Sequence, residues 1–188
     1  MKLPDFSILK SAIFSEDRKY RYALWRIWNI NRPMRLQIGL NPSSANELMD
    51  DPTITRGVVR ASKDGFGGFI QANLYSYVST NPKRLLELPE LEAIGTENED
   101  YLKFLVGISG QTVCGWGSFP AAIKRAPAVL KMIAEPYCLG INADGQPKHP
   151  LYIGYDVPVK RFCNWECGVC GCPDDVVCRF PNKINSKG

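Results

Sequence analysis

Histidine is almost absent from this sequence, which has one, His149, among 188 residues. A metal site built on a pair of histidines is therefore excluded, and so is catalysis that pairs a histidine acid with a histidine base. Long hydrophobic runs are also missing, since no stretch approaches the ~20 apolar residues that a transmembrane helix needs. The first residues, Met1-Lys2-Leu3-Pro4-Asp5, lack the apolar core of a signal peptide. We therefore expect a cytoplasmic protein with no membrane partner.

Strong net charge is another absence. The formal net charge is +4 and the pI is near 8.7, short of the value above ~9 that is typical of a dedicated nucleic-acid-binding domain. Internal repeats and low-complexity tracts are missing too. With 45% hydrophobic and 22% charged residues, the chain has an ordinary globular composition. Its length suits one domain with a sizeable core.

Short apolar runs alternate with helical patterns over much of the chain. Two strands are predicted within residues 12–28, and further strands at 35–40, 67–75 and 137–140, with a strand and turn at 111–117. Helices are predicted from Pro52 to about 64, from about 97 to 108 and from 120 to 134. Because parallel strands need crossover connections, we expect an α/β fold in three layers, with a central, mostly parallel sheet flanked by helices.

The strand at 35–40 ends abruptly at a polar turn, Asn41-Pro42-Ser43. Pro42 lacks an amide hydrogen, and Asn41 before it is biased away from the α region. The expected result is a rigid loop at the carboxyl end of a strand, where open α/β sheets bind ligands. Asn41 is either part of such a site or only a turn-forming asparagine.

Asn73 and His149 also follow apolar strands in this interpretation. Parallel strands bring their carboxyl ends to one edge of the sheet, so these residues and Asn41 are expected to converge there. The alternative is that each has a separate structural role, Asn73 by bonding a nearby loop and His149 as a satisfied core histidine. Convergence of the three side chains at one edge of the sheet would favour a ligand-binding or active site over separate structural roles.

Three segments carry a resemblance to a known superfamily. Gly39-Leu40-Asn41-Pro42-Ser43 is similar to the first signature of the uracil-DNA glycosylases, Gly-x-Asn-Pro-Gly, whose asparagine positions the attacking water. His149-Pro150-Leu151 resembles their second signature, His-Pro-Ser, whose histidine donates to the leaving base. Residues 69–73 resemble the strand whose terminal asparagine reads the base edge. Ser43 and Leu151 depart from the Gly and Ser of these signatures.

This resemblance implies a uracil-DNA glycosylase-like fold with Asn41 and His149 catalytic. The substrate would contact the first loop through Gly39, Pro42 and Ser43, and its base would be read by Asn73. An aromatic side chain such as Tyr75 or Phe66 is expected to stack on a flipped base.

A closer resemblance is to an uncharacterised family of bacterial and phage proteins, a DUF family, over roughly residues 12–155. The shared pattern is the Asn-Pro-Ser turn, Asp-Asp-Pro-Thr-Ile-x-Arg at 50–56, a Gly-rich strand into Asn-Leu, a Trp-Gly turn and a late His-Pro-Leu-Tyr. In one interpretation Asp51 caps a helix and Arg56 pairs with a surface acid. In the other, Asp51 is the catalytic base and Arg56 binds phosphate bidentately.

Cysteines crowd the end of the chain. Cys114 and Cys138 lie in apolar surroundings and are expected to be buried thiols. We divide the chain into an α/β domain, 1–160, and a Cys-rich tail, 161–188. In a cytosolic tail, metal binding is favoured over disulfides, with zinc expected, an iron–sulfur cluster as the alternative, and unligated thiols as a third option. The expected ligands are Cys163, Cys167, Cys170, Cys172 and Cys178.

Together these patterns predict a DNA glycosylase-like enzyme. It would hydrolyse the N-glycosidic bond of a base, possibly a modified one, in DNA or in a nucleotide, as in DNA repair or modified-base processing. One alternative is a non-catalytic module of the same fold that binds a nucleotide or nucleic acid. Another is a small-molecule hydrolase or transferase that uses Asp51 and His149.

Overall fold

The fold was obtained as a computed structural model, which describes residues 1–163 and 176–178. Its strands are β1 Lys10–Phe14, β2 Arg21–Ile27, β3 Met34–Gly39, β4 Gly68–Asn73, β5 Gln111–Cys114, β6 Pro136–Cys138, β7 Lys160–Cys163 and β8 Val176–Cys178. Its α-helices are α1 Pro52–Lys63, α2 Arg84–Glu87, α3 Glu90–Ile94, α4 Asn98–Ile108 and α5 Pro120–Leu130. A single 3₁₀ turn spans Pro150–Tyr152 in this part of the chain.

The strands form one mixed sheet in the order β1-β2-β4-β3-β5-β6-β7-β8. Its centre is parallel, because β4, β3, β5 and β6 all run the same way. The strands β2 and β7 run antiparallel to their inner neighbours, β4 and β6. The predicted α/β fold with a mostly parallel central sheet is therefore confirmed.

The central strands are buried on both faces, as expected for strands covered by helices on each side. Their face towards α4 and α5 is apolar, whereas the face towards α1 also carries Gln37, Gln71 and Asn73. Leu36, Ile38 and Ile70 are fully buried in the larger core, which also contains side chains from α4 and α5. Phe69 lies on the opposite face, in a smaller core with Ile54 of α1. The sheet is thus the middle of three layers.

Helix α1 begins where the local sequence predicts. Asp51 is the N-cap and Pro52 the first helical residue, an arrangement that suits proline because the first helical N–H has no intrahelical partner. The helix packs closely on β4, since a Cβ atom at Gly57 would lie 2.2 Å from the ring of Phe69. This close approach anchors the middle of α1 against the sheet at the amino end of β4.

The end of the chain departs from the predicted division into two parts. The boundary between residues 160 and 161 falls inside β7, which pairs with β6, and Phe162 of β7 is buried in the larger core. The sheet therefore continues across the predicted boundary. The five predicted metal-ligand side chains, from Cys163 to Cys178, lie outside what the structure describes. Within the described part, no helix is both long and apolar enough to span a bilayer.

Candidate active site

A cleft of about 410 Å³ opens at the carboxyl ends of the central parallel strands. Its floor is formed by Gly39 and Asn73, the last residues of β3 and β4, which lie opposite each other in the sheet. Six of the residues predicted from sequence line this one cleft: Gly39, Asn41, Ser43, Asp51, Asn73 and His149. The folded chain therefore brings together side chains separated by more than a hundred positions in sequence.

Asn41 is held by the loop that follows β3. Its side-chain amide nitrogen donates to the carbonyl oxygens of Ser79, at 2.8 Å, and Pro42, at 3.0 Å. Both donor positions of the amide are therefore occupied by backbone. The side-chain oxygen accepts no hydrogen bond from the described residues, so it is available to accept one from a ligand or a water molecule.

Asn73 is 3% exposed and is oriented by a chain of amides across two strands. Gln37 donates to Gln71 at 2.9 Å, and Gln71 in turn donates to the side-chain oxygen of Asn73 at 3.2 Å. Because this oxygen is engaged, the Asn73 amide nitrogen is the atom left for a ligand. Gly39 leaves the room for this pair: a Cβ there would lie 2.9 Å from both the Asn73 oxygen and the Gln71 nitrogen.

Asp51 combines a structural contact with a position in the cleft. Its Oδ1 accepts from the backbone amides of Thr53, at 2.9 Å, and Ile54, at 3.0 Å, which caps α1. Its second carboxylate oxygen accepts no hydrogen bond from the described residues. The helix cap of the first interpretation is present, and the same carboxylate lines the cleft.

His149 is held as a neutral imidazole at the opposite wall. Its Nδ1 accepts from the backbone amide of Leu151 at 3.3 Å, so the proton of the neutral ring is assigned to Nε2. Burial lowers the pKa of His149 from its usual 6.5, and the negative charge of Asp51 opposes this shift. The ring also contacts that of Tyr152, with centroids 5.8 Å apart.

Three residues predicted to bind substrate do not line the cleft. Pro42 is buried, and its carbonyl accepts from the amide of Ser79. Tyr75 is 2% exposed, and its hydroxyl donates to the carbonyl of Ala121 in α5, so it cannot stack on a base in this cleft. Burial also raises the pKa of Tyr75 to about 12.

Arg56 is the third residue placed elsewhere. Its guanidinium donates to the carbonyl of Ile153 at 2.9 Å and lies over the ring of Tyr155. It pairs with no acid among the described residues and does not reach the cleft. In the structure Arg56 ties α1 to the loop after the 3₁₀ turn.

The lining residues that were not predicted from sequence include Arg21, Gln71, Trp116 and Tyr152. Gln71 carried a signal, because a glutamine inside an apolar strand must find a partner. Trp116 is buried and its indole donates to Gln146 at 2.8 Å. Tyr152, 82% exposed, contributes an aromatic ring to the cleft. Burial lowers the pKa of Arg21 to about 10, an effect that the nearby Asp51 opposes.

A family model described as "Protein of unknown function (DUF1643)" matches residues 21–151. The chain belongs to this family. The match confirms the predicted membership of an uncharacterised family and includes every residue that lines the cleft except Tyr152. Neither the curated proteins nor the solved structures gave a match.

The described residues hold no group of three or more histidine, cysteine, aspartate or glutamate side chains placed to bind a metal ion. In the cleft itself, the two side chains of these types that contribute are Asp51 and His149. The chemistry that the cleft offers is therefore hydrogen bonding, one carboxylate, one neutral imidazole and one guanidinium.

Proposed function

We propose that this protein hydrolyses the N-glycosidic bond of a base, possibly a modified one, in DNA or in a nucleotide, on a fold related to that of the uracil-DNA glycosylases. The observation that carries the proposal is that Asn41, Asp51, Asn73 and His149 line one cleft. Its volume lies within the roughly 300–1,000 Å³ of small-molecule sites. The exposed aromatic ring of Tyr152, which lines the cleft, suits a planar ligand.

Each of the four polar side chains has a part in this reaction. Water attacks C1′ of the sugar while the bond from C1′ to the base nitrogen breaks, and the bonding electron pair leaves with the base. Asn41 accepts a hydrogen bond from the attacking water, and the free oxygen of Asp51 takes its proton. The Nε2–H of His149 donates to the base as negative charge accumulates there. The base anion is then protonated by solvent.

Asn73 supplies recognition rather than chemistry. Its oxygen is occupied by Gln71, so the side chain offers an N–H donor to the cleft. The matching edge of the ligand must carry an acceptor, such as a carbonyl oxygen or an unprotonated ring nitrogen. A base that presents an amino group at this position would leave two donors facing each other, which is unfavourable.

Base release from DNA tests the proposal. Purified protein is incubated with oligonucleotides that carry uracil or modified bases and with the corresponding nucleotides, and free base is quantified. We expect release by the wild type, and a loss of about 10²–10³-fold in His149→Ala, the size typical of a lost donor to a developing anion. Lys103→Ala, an exposed change on α4, is the control and should behave as the wild type.

The double variant Asn41→Ala, His149→Ala sets the background. If the wild type releases no more base than this variant from every substrate, the hydrolase proposal is wrong. Ligand binding that survives in His149→Ala without any turnover would instead support the non-catalytic binding module.

A further inference from the structure

Arg21 is a buried arginine that the rest of the fold does not neutralise. It is 3% exposed, and the contact that holds its guanidinium is Nη1 donating to the carbonyl of Ala45 at 2.6 Å. Its Nε is buried without a partner. It forms no ion pair with the described residues. A guanidinium has five N–H donors, so most of its hydrogen-bonding capacity is unused.

A second arginine on the same strand shows what a structural arginine looks like here. Arg26 is 6% exposed and forms an ion pair with Asp50 at 2.6 Å. It also donates to the backbone carbonyls of Ser11, Trp25 and Asn46. Burying a charge is costly unless it is paired, and Arg26 meets this condition within the protein. Arg21 does not.

A bulge in β2 turns Arg21 towards the cleft. Ile13 of β1 faces Ala23, but Phe14 faces Arg21, so one residue of β2 is extra. Tyr22 and Ala23 consequently both belong to the core on the α4 and α5 side, and Arg21 points to the face of α1. A shift of one residue moves a side chain to the opposite face of a sheet. Bulges next to functional sites commonly redirect a side chain in this way.

The carboxylates near Arg21 form no hydrogen bond with its guanidinium, so its charge remains available to a ligand. Glu47 is engaged by Arg18 through two contacts of 2.8 and 3.0 Å. Asp51 acts on Arg21 through its charge but makes no hydrogen bond with it. Hydroxyl donors lie in the same cleft, from Ser43, Ser44 and Thr53. A buried guanidinium with neighbouring hydroxyl groups is suited to an anion with several acceptor oxygens.

We propose that Arg21 forms a phosphate-binding subsite on the wall of the cleft, and that the ligand carries a phosphate beside the sugar of the nucleoside. The phosphate belongs either to a nucleoside 5′-monophosphate or to the phosphodiester backbone of DNA. That it belongs to a nucleotide rests on the proposed function, whereas the anion site rests on the environment of Arg21.

Inorganic phosphate is the first probe. The melting temperature of the full chain is compared in sodium phosphate and in sodium chloride of equal ionic strength. We expect phosphate to raise it in the wild type, as a ligand of the folded state does, and equally in Arg32→Gln, which removes an exposed arginine that forms no ion pair with the described residues. In Arg21→Gln the gain should disappear, and Arg21→Lys should keep part of it because lysine binds phosphate as a point charge.

Two results would overturn the phosphate subsite. One is a wild type that gains no more in phosphate than in chloride, and the other is an equal loss of the gain in Arg32→Gln and Arg21→Gln. If Arg21→Gln does not fold, the wild type and Arg21→Lys still decide. A gain in the wild type that Arg21→Lys keeps only in part supports the subsite, whereas no gain in the wild type, or the full gain in Arg21→Lys, refutes it.

Nucleosides with a C-glycosidic bond, which cannot be hydrolysed, distinguish the two sources of phosphate. Affinities are measured for 2′-deoxypseudouridine, its 5′-monophosphate and a single-stranded oligonucleotide that contains it. Preference of about tenfold to a hundredfold for the monophosphate over the nucleoside, lost in Arg21→Gln, identifies a nucleotide ligand. The same preference for the oligonucleotide alone, competed by inorganic phosphate, identifies the DNA backbone.

Failure of this inference differs from failure of the proposed function. If no base is released from any substrate while the phosphate effect depends on Arg21, the hydrolase proposal is wrong and the subsite stands. If base release depends on Asn41 and His149 but phosphate has no effect, the subsite is wrong. Equal affinity for all three ligands would refute the nucleotide assignment.

Discussion

At the scale of single residues, the cleft contains side chains with one polar atom bound by the protein and another left for a ligand. In Asn41 the nitrogen is held by backbone carbonyls, and in Asn73 the oxygen is held by Gln71. In His149 the Nδ1 atom is held by the amide of Leu151. Such partners fix the direction in which each remaining donor or acceptor points. The recognition pattern is therefore set before a ligand arrives.

The first prediction concerns the pKa of His149. It should titrate below 6.5, because burial disfavours its charged form. Since the chain has a single histidine, one ring signal in an NMR titration reports it directly. In Asp51→Asn the pKa should fall further, because the carboxylate charge that raises it is removed. A pKa at or above 6.5 in the wild type would contradict the neutral donor assigned to this residue.

Stability should follow the same titration. The pKa of His149 is lowered in the folded chain, so the unfolded chain binds the proton more tightly. The stabilisation is complete above pH 6.5 and is lost as the pH falls through the folded pKa. The free energy of unfolding of the wild type should therefore drop over this window more than that of His149→Gln, as measured by chemical denaturation across pH.

Gly39 provides a second prediction at this scale. Gly39→Ala should push apart the amides of Asn73 and Gln71, at a cost of roughly 1–3 kcal/mol in the free energy of unfolding. Gly107→Ala is the matched control, because a Cβ at this exposed position of α4 has no neighbour within 4 Å. It should stabilise the helix by about 0.5–1 kcal/mol. Equal effects of the two changes would mean that Gly39 is not required for the amide pair.

At the scale of elements, α1 links the stability of the fold to the cleft. Its N-cap, Asp51, is also a lining residue, and Gly57 lets the helix approach β4. Arg56 and Arg60 hold its outer side to the carbonyl of Ile153, just after the 3₁₀ turn that begins beside His149. Both walls of the cleft are therefore attached to one helix.

Two substitutions of Asp51 separate its two roles. Asp51→Asn should keep the cap, since asparagine is as good an N-cap as aspartate, but should reduce base release by about 10²–10⁴-fold if the carboxylate is the base. Asp51→Ala should lose both, with about 1 kcal/mol less stability. Stability is measured by denaturation and activity by base release. Full activity in Asp51→Asn would show that the residue is only a cap.

At the scale of the whole molecule, the sheet extends past the residues that line the cleft through β7 and β8. The cysteines of this last segment lie close in sequence, and four thiolates are a suitable set for tetrahedral zinc. We propose that the purified protein carries about one zinc ion per chain. Elemental analysis checks this, and a chelator should lower the melting temperature. Iron with visible absorbance would indicate the cluster instead, and metal-free protein would refute both.

Prediction from sequence was most successful where a feature depends on neighbours along the chain. The start of α1 at Pro52 follows from the cap of Asp51, and the loop at Asn41-Pro42 follows from the restrictions that proline imposes. The convergence of Asn41 and Asn73 followed from a general rule, that parallel strands end at one edge. Each of these needs only local sequence and the direction of the strands.

Tertiary structure alone decided which further side chains reach the cleft. Arg21 does so because β2 runs antiparallel to β4 and contains a bulge, and neither is encoded in a local pattern. Tyr75 does not reach the cleft. Because β4 ends at Asn73, side chains beyond this residue no longer alternate between the two faces of the sheet, and Tyr75 packs against α5 instead. The sequence by itself thus determined the polar ends of the strands. The pairing of β2 with strands far away along the chain decided that the charge of Arg21 lies beside these strand ends.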